Sequence, residues 1–154
     1  MNNLITEDGY KKLKSEFERL TSQRPEVIKS ISVARAQGDL SENAEYHAAK
    51  ERQKFLEEKI SQIGERLSSV RIIKRSQINA DKVSFGTTVL LYDIDNDSEI
   101  TYRIVGQDES DPKKGMISIT SPIGKALIGR SEEDEVEIKI PSGIKHFEIE
   151  KITV

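Results

Sequence analysis

The sequence predicts an α+β protein: an N-terminal antiparallel α-helical coiled-coil hairpin followed by a small antiparallel β-sheet domain with one short helix. Apolar residues in the first half recur at alternating steps of three and four, which is the period of a coiled coil. The second half changes to short runs of β-branched and aromatic residues separated by turn residues. The predicted domains are therefore residues 1–76, with an acidic turn at residues 38–42, and residues 77–154.

Two heptad seams of equal length predict the hairpin. The members of the first seam are Tyr10, Leu13, Phe17, Leu20, Arg24, Val27, Ile31 and Ala34. The members of the second seam are Tyr46, Ala49, Gln53, Leu56, Ile60, Ile63, Leu67 and Val70. Residues whose numbers sum to 80 pair every member of one seam with a member of the other. We therefore expect one chain to fold back on itself near residue 40 as a monomer, rather than a parallel dimer.

Three details of the hairpin follow from its residues. Pro25 removes one helical hydrogen bond and predicts a kink in the first arm near residues 21–24. Arg24 and Gln53 are polar seam members in adjacent layers, and they either pair with each other or leave the Arg24 guanidinium in water. Arms of this length give a rod of about 45 Å at 1.5 Å per helical residue.

The second half contains five strand candidates and one short helix. The strand candidates are residues 87–92, 99–105, 116–120, 135–140 and 145–152. A turn at residues 141–143 joins the last two strands as a hairpin. The helix begins with Ser121 as N-cap and Pro122 at its first position, and Gly129 follows its end. The predicted linker between the domains covers residues 75–82.

Composition limits the function classes. The chain has 154 residues, a net charge of −3 and no cysteine, so disulfides and thiolate metal sites are excluded and a reducing cytoplasm is expected. The N-terminus does not resemble a signal peptide, and no apolar run is long enough to span a membrane. Residues 1–77 carry +3 and residues 78–154 carry −6, so neither half is a polycation. A protein partner is therefore favoured over direct duplex binding.

The turn from Gly38 to Glu42 admits two interpretations. In the first, Asp39 and Glu42 form a capping-box variant at the start of the second arm. In the second, the two carboxylates form part of a divalent-cation site that another molecule completes, because Mg²⁺ prefers near-octahedral oxygen coordination and two ligands would hold it weakly. Leu40, exposed at the end of a rod, favours a turn that enters a partner. Both interpretations fit the residues.

Residues 34–51 resemble the tip signature of the bacterial Gre transcript-cleavage factors, and are more similar to the A type than to the B type. The resemblance continues through residues 24–26, 102–106, 121–123 and 127–129. It implies a C-terminal domain of FKBP-like topology that docks at the rim of the RNA polymerase secondary channel. The hairpin would then enter the channel and stimulate endonucleolytic cleavage of the backtracked RNA 3′ end, so that elongation resumes.

The resemblance also implies roles for individual residues. Asp39 and Glu42 would hold a Mg²⁺ shared with the polymerase active centre, so that the factor is not itself an enzyme and binds no cofactor alone. The other implied site residues are Gly38, Ser41 and Asn43 as supports of the turn, Arg35 and Lys50 as candidate RNA contacts, and Ser121, Pro122 and Ile123 as candidate polymerase contacts. For Arg35 and Lys50, a solvated helix surface explains the same residues. Contact with DNA would occur only within the elongation complex, and association with the nucleoid only through the polymerase.

Several alternatives remain at the level of sequence. A prolyl isomerase would share the fold type, an inhibitory homologue would occupy the same channel, and a structural adaptor would use the turn only as a cap. Asp93, Asp95 and Asp97 begin like an EF-hand loop, but Ser98 stands where Gly is required, so we interpret the segment as a turn. His47 and His146 are interpreted as neither catalytic nor metal-binding, and residues 132–135 as a charged loop.

Overall fold

The computed structural model describes residues 3–38 and 43–154, and the chain divides into two compact units. One unit is Lys11–Ser69, which forms most of the helical hairpin. The other combines the residues up to Tyr10 with Val70–Val154 and contains the β-sheets. None of the helices in the described part of the chain has the length and apolar character needed to cross a membrane.

The hairpin consists of helices α1 (Glu7–Ser22), α2 (Arg24–Arg35) and α3 (Ala44–Ser69). Helices α1 and α2 form the first arm, which is interrupted at Gln23. Pro25 in the first turn of α2 has no N–H to donate to the preceding turn, so the helix cannot continue through it. The interruption lies within the segment where the kink was predicted.

Seam residues from both arms form the core of the hairpin. The buried members are Leu20, Val27, Leu56 and Ile60, surrounded by the half-buried Phe17, Ile31 and Ile63. Ala34 and Ala49 are also buried, nearer the turn. All of these residues belong to the two predicted seams, which confirms that the arms pack against each other as a helical hairpin.

In the polar layers of the seam, an ion pair joins the two arms. Arg24 donates from Nε to one Glu57 oxygen and from Nη2 to the other, each at 2.8 Å. Gln53 instead accepts from Lys50 Nζ at 3.3 Å. The bond from Arg24 lowers the pKa of the Glu57 carboxyl below its usual range. Arg24 therefore places its guanidinium at the surface and does not pair with Gln53.

Two short strands flank the hairpin in sequence. Strand β1 (Leu4–Thr6) precedes α1, and strand β2 (Arg71–Ile73) follows α3. They pair in parallel, with Leu4 opposite Arg71, and Ile5 is fully buried. The sequence did not predict these strands, because three residues are too few to show an alternating pattern.

The main sheet has five strands in the order β5-β4-β3-β7-β6. The strands are β3 (Thr88–Asp93), β4 (Ser98–Val105), β5 (Met116–Ser118), β6 (Glu135–Ile140) and β7 (Gly143–Thr153). Each overlaps a predicted strand, and β6 and β7 form the predicted hairpin. All neighbours are antiparallel except β4 and β5, which are parallel. The purely antiparallel prediction is corrected at this edge, because two 3₁₀ turns, Gln107–Glu109 and Pro112–Lys114, return the chain alongside β4 before β5 begins.

One hydrophobic core holds the sheet and helix α4 (Pro122–Leu127) together. Its fully buried members include Val89, Leu91, Ile104, Leu127 and Ile149. The bulge in β7 beside Leu90 and Leu91 lets both Ile149 and Ile152 be buried.

The compact units differ from the predicted division between residues 76 and 77. Residues of β1 and β2 belong with the sheet unit: the two strands pair with each other, Thr6 in β1 bonds to Glu109, and Ile5 is buried. The predicted linker at residues 75–82 is also part of that unit. It begins with a 3₁₀ turn, Arg75–Gln77, and Ala80 packs against the main core.

Candidate functional site

The first arm ends at Gly38, where the backbone is sterically uncrowded. After α2, the Gln37 N–H donates to the Ala34 carbonyl at 3.2 Å. Gly38 has φ +141°, a conformation that L side chains rarely adopt, and a Cβ added there would meet no atom within 4 Å. Glycine therefore allows the chain to leave the helix sharply and keeps this position uncrowded. Residues 39–42, which include Asp39, Ser41 and Glu42, lie outside the described residues.

Asn43 begins the second arm and joins it to the first. Its Oδ1 accepts from the Tyr46 backbone N–H at 3.0 Å, the geometry of an N-cap on α3. Its Nδ2 donates at 2.6 Å to the Ala34 carbonyl, which also accepts from Gln37. One amide therefore caps the second helix and occupies a C-terminal carbonyl of α2, whose last carbonyls lack partners within the helix.

This geometry bears on the two interpretations of the acidic turn. The N-cap position of α3 is held by Asn43, and the helix begins at Ala44. The capping-box interpretation of Asp39 and Glu42 stays a prediction, because both residues lie outside the described part of the chain. The sequence signal for Asn43 was its type, because asparagine is a preferred N-cap residue.

Arg35 and Lys50 line the same groove between the arms, close to the turn. The groove has a volume of about 550 Å³ and is bordered by Ile28, Ile31, Ser32, Arg35, Ala36, Lys50 and Gln53. Ile28 is 56% exposed, so an apolar side chain borders the groove beside the two cations. The structure thus brings the two predicted RNA-contact residues together and adds an apolar neighbour that the sequence analysis missed. Ile28 lies next to a seam position, so the heptad pattern alone did not single it out.

The start of α4 has the predicted N-cap geometry. Ser121 Oγ accepts from the Gly124 N–H at 3.0 Å and donates to the Ser118 carbonyl at 2.6 Å. Pro122 is exposed, whereas Ile123 is half-buried and packs against the core. A Cβ on Gly124 would overlap the Ser118 carbonyl, so glycine lets the helix approach the preceding segment closely. Of the three predicted docking residues, Pro122 is the one most available to a partner.

The acidic segments of the second half form hydrogen bonds within the sheet domain. Asp93 is buried, and its carboxylate accepts from the Asp95 and Asn96 N–H groups and from the Asn96 side chain, which lowers the pKa of Asp93. This is turn geometry, as predicted for the EF-hand-like segment. In the charged loop, Asp134 accepts from the Ser131 N–H at 2.8 Å and Glu132 from the Ile152 N–H at 3.0 Å. Within residues 3–38 and 43–154, no group of three His, Asp or Glu side chains is arranged to hold a metal ion.

The sequence analysis missed one carboxylate outright. Glu109 accepts from the Thr6 backbone N–H and the Gly106 N–H, each at 3.1 Å, and from the Thr6 hydroxyl. Thr6 is itself the N-cap of α1, since its Oγ1 accepts from the Gly9 N–H at 3.1 Å. The separation of 103 residues between Thr6 and Glu109 hides this contact from any local pattern.

A helical hairpin joined in one chain to a small β-domain defines the class of two-unit α+β proteins to which this fold belongs. Comparisons with known proteins identify the family. Residues 3–72 match the family model described as "Transcription elongation factor, N-terminal", and residues 78–154 match "Transcription elongation factor, GreA/GreB, C-term". The chain belongs to the GreA/GreB family of transcription elongation factors.

Two relatives with about 50% identity agree with this assignment. The chain is 50% identical over 149 residues to transcription elongation factor GreA of Syntrophotalea carbinolica, covering 96% of this chain and 94% of that protein. It is 49% identical over 153 residues to GreA of Trichlorobacter lovleyi, covering 98% and 97%. The solved structure of GreA factor homolog 1 from Thermus thermophilus is 24% identical with full coverage of both chains, at a TM-score of 0.46. These relatives confirm the family that residues 34–51 predicted. They also confirm that this chain is more similar to the A type than to the B type.

The same assignment does not favour the alternative functions. Both halves of the chain match transcription elongation factors, which is not expected of a prolyl isomerase or a general adaptor. The relatives at about 50% identity carry the name GreA rather than that of an inhibitory homologue.

Proposed function

We propose that this protein binds bacterial RNA polymerase, inserts its hairpin into the secondary channel and stimulates cleavage of the backtracked RNA 3′ end. In this role the polymerase performs the hydrolysis, and the factor supplies the side chains of residues 39–42. The factor acts as a monomer in the cytoplasm and reaches the nucleoid and its DNA through the polymerase. The family assignment supports transcription elongation as the process in which the chain takes part.

The observation that carries the proposal is the cap at Asn43. Asn43 bonds to the first turn of α3 and to the Ala34 carbonyl, so one side chain joins the ends of the two arms. We propose that the carboxylates of Asp39 and Glu42, which follow the uncrowded Gly38 in sequence, serve a partner. We therefore assign Asp39 and Glu42 to the polymerase active centre, with Ser41 beside them as a support of the turn.

Carboxylate oxygens fit Mg²⁺, which prefers hard oxygen ligands and retains several waters. When bound between the factor and the polymerase, Mg²⁺ supplies activation of a water and neutralisation of phosphodiester charge. Asp39 would be a direct ligand, and Glu42 would complete the site through the ion or a water. Exclusion of bulk solvent in the channel would strengthen these contacts relative to the same contacts in water.

The groove below the turn gives the proposal a second contact. Arg35 and Lys50 border it from opposite arms, so their positive charges face one space from two sides. Contacts of this kind to phosphates fix the position of a nucleic acid without reading its sequence. We propose that the extruded RNA passes this groove, and that Ile28 contacts a base or sugar there.

We assign docking on the polymerase to the β-domain. The bonds of Ser121 to Ser118 and Gly124 fix the start of α4, so Pro122 is presented in one conformation. We propose that Pro122, with Ser121 and the exposed part of Ile123, contacts the rim of the secondary channel.

The test uses backtracked elongation complexes with end-labelled RNA and Mg²⁺. We expect wild-type factor to shorten the transcripts, and Asp39→Asn and Glu42→Gln to abolish this while still competing for polymerase. The matched control is Glu45→Gln, which removes a charge from the first turn of α3 without touching residues 39–42. Equal cleavage by wild type, Asp39→Asn and Glu42→Gln would exclude the metal role.

A further inference from the structure

The first arm of the hairpin is interrupted at a single residue. Helix α1 ends before Gln23 and α2 begins after it. The Gln23 N–H donates to the Leu20 carbonyl at 3.1 Å, and the Val27 N–H donates to the Gln23 carbonyl at 3.2 Å. Pro25 has no N–H to add to these bonds. Because helices bend where proline interrupts the hydrogen-bond ladder, α2 is tied to α1 less firmly than one turn of a continuous helix is to the next.

The residue that follows the interruption reaches across to the other arm. Arg24 Nε and Nη2 donate to the two carboxylate oxygens of Glu57 in α3, each at 2.8 Å. Two parallel bonds between a planar guanidinium and a carboxylate fix a direction as well as a distance. The ion pair therefore joins the start of α2 to the middle of α3 in one geometry.

The apolar seam is thin at this level of the hairpin. In the seam register Arg24 lies opposite Leu56, and Val27 lies opposite Gln53, so each of these layers has only one apolar member. Leu56 and Val27 are buried, and their burial favours contact between the arms. Hydrophobic contact is non-directional, so it does not by itself hold α2 at one position along α3. The ion pair supplies the directional contact in these layers.

The far end of α2 is joined to the second arm by another directional contact, in which Asn43 Nδ2 donates to the Ala34 carbonyl at 2.6 Å. The groove proposed to contact RNA lies between these two contacts, with one wall on α2 and the other on α3. A second concavity, of about 490 Å³, shares Lys50 with the groove and continues along α3 as far as Glu57. The ion pair thus lies at the end of the groove that is farther from the turn.

We propose that Arg24 and Glu57 are positioning residues for transcript cleavage: their ion pair holds α2 at one spacing from α3 across the interruption in the first arm. The two walls of the groove then present their cations to the same stretch of RNA. The charge of Arg24 is matched by a carboxylate, so its guanidinium serves the hairpin and not a phosphate. The proposal rests on the proposed function, in which the groove contacts the extruded RNA.

The first measurement does not involve polymerase. In full-length Glu57→Gln, amide exchange at Val27 should be about threefold to fivefold faster, which is the upper range for loss of an exposed ion pair. The difference should shrink in about 1 M salt, where charges are screened beyond about 3 Å. The matched control is Glu16→Gln, which breaks a pair with the same two-bond arrangement to Arg19, but within α1. Equal exchange at Val27 in wild type and Glu57→Gln would overturn the proposal.

An exchange of charges tests the pair in cleavage. Arg24→Glu and Glu57→Arg each place like charges together, and the double variant restores opposite charges at the net charge of wild type. On backtracked complexes at saturating factor, each single variant should cleave about threefold to fivefold more slowly, and the double variant within about twofold of wild type. All three should compete for polymerase within about twofold of wild type. Wild-type rates in both single variants, or no recovery in the double variant, would reject the positioning role.

Folding and general charge effects are controlled separately. Circular dichroism reports whether the charge-exchange variants keep the helical hairpin, and Glu57→Gln tests the pair without like-charge repulsion, with an expected loss of cleavage rate of about twofold or more. Glu16→Gln should cleave at the wild-type rate, and an equal loss in that control would also reject the proposal. If wild type fails to stimulate cleavage, the proposed function fails, and exchange at Val27 still decides whether the ion pair fixes α2.

Discussion

At the residue scale, Asn43 shows how one side chain joins the ends of two helices. Its two amide atoms are both used, one as cap acceptor for α3 and one as donor to α2. An aspartate would keep only the cap acceptor, because an ionised carboxylate donates no hydrogen bond.

Asn43→Ala should destabilise the hairpin by about 1–2 kcal/mol, since it removes an N-cap and a second hydrogen bond to a backbone carbonyl. Asn43→Asp keeps the cap acceptor and loses only the donor, so its loss should be smaller. Urea unfolding followed by circular dichroism measures both. An Asn43→Ala variant with the same free energy of unfolding as wild type would mean that the cap does not contribute to stability.

A second residue-scale effect concerns like charges on the sheet. Glu150 shares a hydrogen bond with Glu99, which together with burial and the nearby charges of Glu99 and Glu148 raises the pKa of Glu150 above its usual range. A carboxyl with a raised pKa in the folded state favours folding while it is protonated, and this contribution is lost as pH rises through that pKa.

Glu150→Gln should therefore increase stability at pH 7 relative to wild type, and the difference should shrink below the ordinary pKa of glutamate. Thermal unfolding from pH 3 to pH 8 gives the comparison. Glu18→Gln, which neutralises an exposed glutamate on α1, is the control. A pH-independent difference would show that the carboxyls do not interact.

At the scale of elements, the helical hairpin follows its heptads closely. The buried residues of both arms are seam members, and the first arm is interrupted beside Pro25. The register between the arms depends on the size of the seam side chains as well as on their polarity. The small Ala34 and Ala49 are buried near the turn, whereas Leu20 and Ile60 fill the middle of the hairpin.

This register allows the arms to be shortened without changing their pairing. Deleting residues 14–20 and 60–66 removes one heptad from each arm and withdraws the turn by about 10 Å. We expect retained polymerase binding and lost transcript cleavage, measured by competition binding and by the labelled-RNA assay. Circular dichroism confirms that the shortened hairpin is helical. Cleavage at the wild-type rate would mean that the reach of the hairpin is not required.

At the scale of the whole molecule, the compact units do not follow the order of the chain. The residues up to Tyr10 belong with the sheet unit although the hairpin separates them from it in sequence. Ile5 is fully buried, and Thr6 bonds to Glu109. Stability of the β-domain should therefore depend on the first few residues of the protein.

Ile5→Ala should destabilise the β-domain by about 2–5 kcal/mol, as expected when a buried isoleucine is truncated. Hydrogen exchange resolved by segment should show faster exchange in β3 and β7, and unchanged exchange in the centre of α3. Ile28→Ala, at an exposed position of α2, is the control. Faster exchange confined to the hairpin would contradict this division of the chain.

The sequence by itself determined what depends on local pattern. Heptad spacing located the two arms, turn residues and β-branched runs located the five strands of the main sheet, and Ser121 with Pro122 located α4, because these signals lie within one or two turns of chain. Residues 34–51 also carried enough family signature to indicate the family. Tertiary structure decided what depends on distant partners: the pairing of β1 with β2, the parallel edge at β5, the choice of Asn43 as cap, and the contact of Glu109 with Thr6 and Gly9. Those features depend on which backbone groups come into contact after folding. A short-range periodicity in the sequence does not predict such contacts.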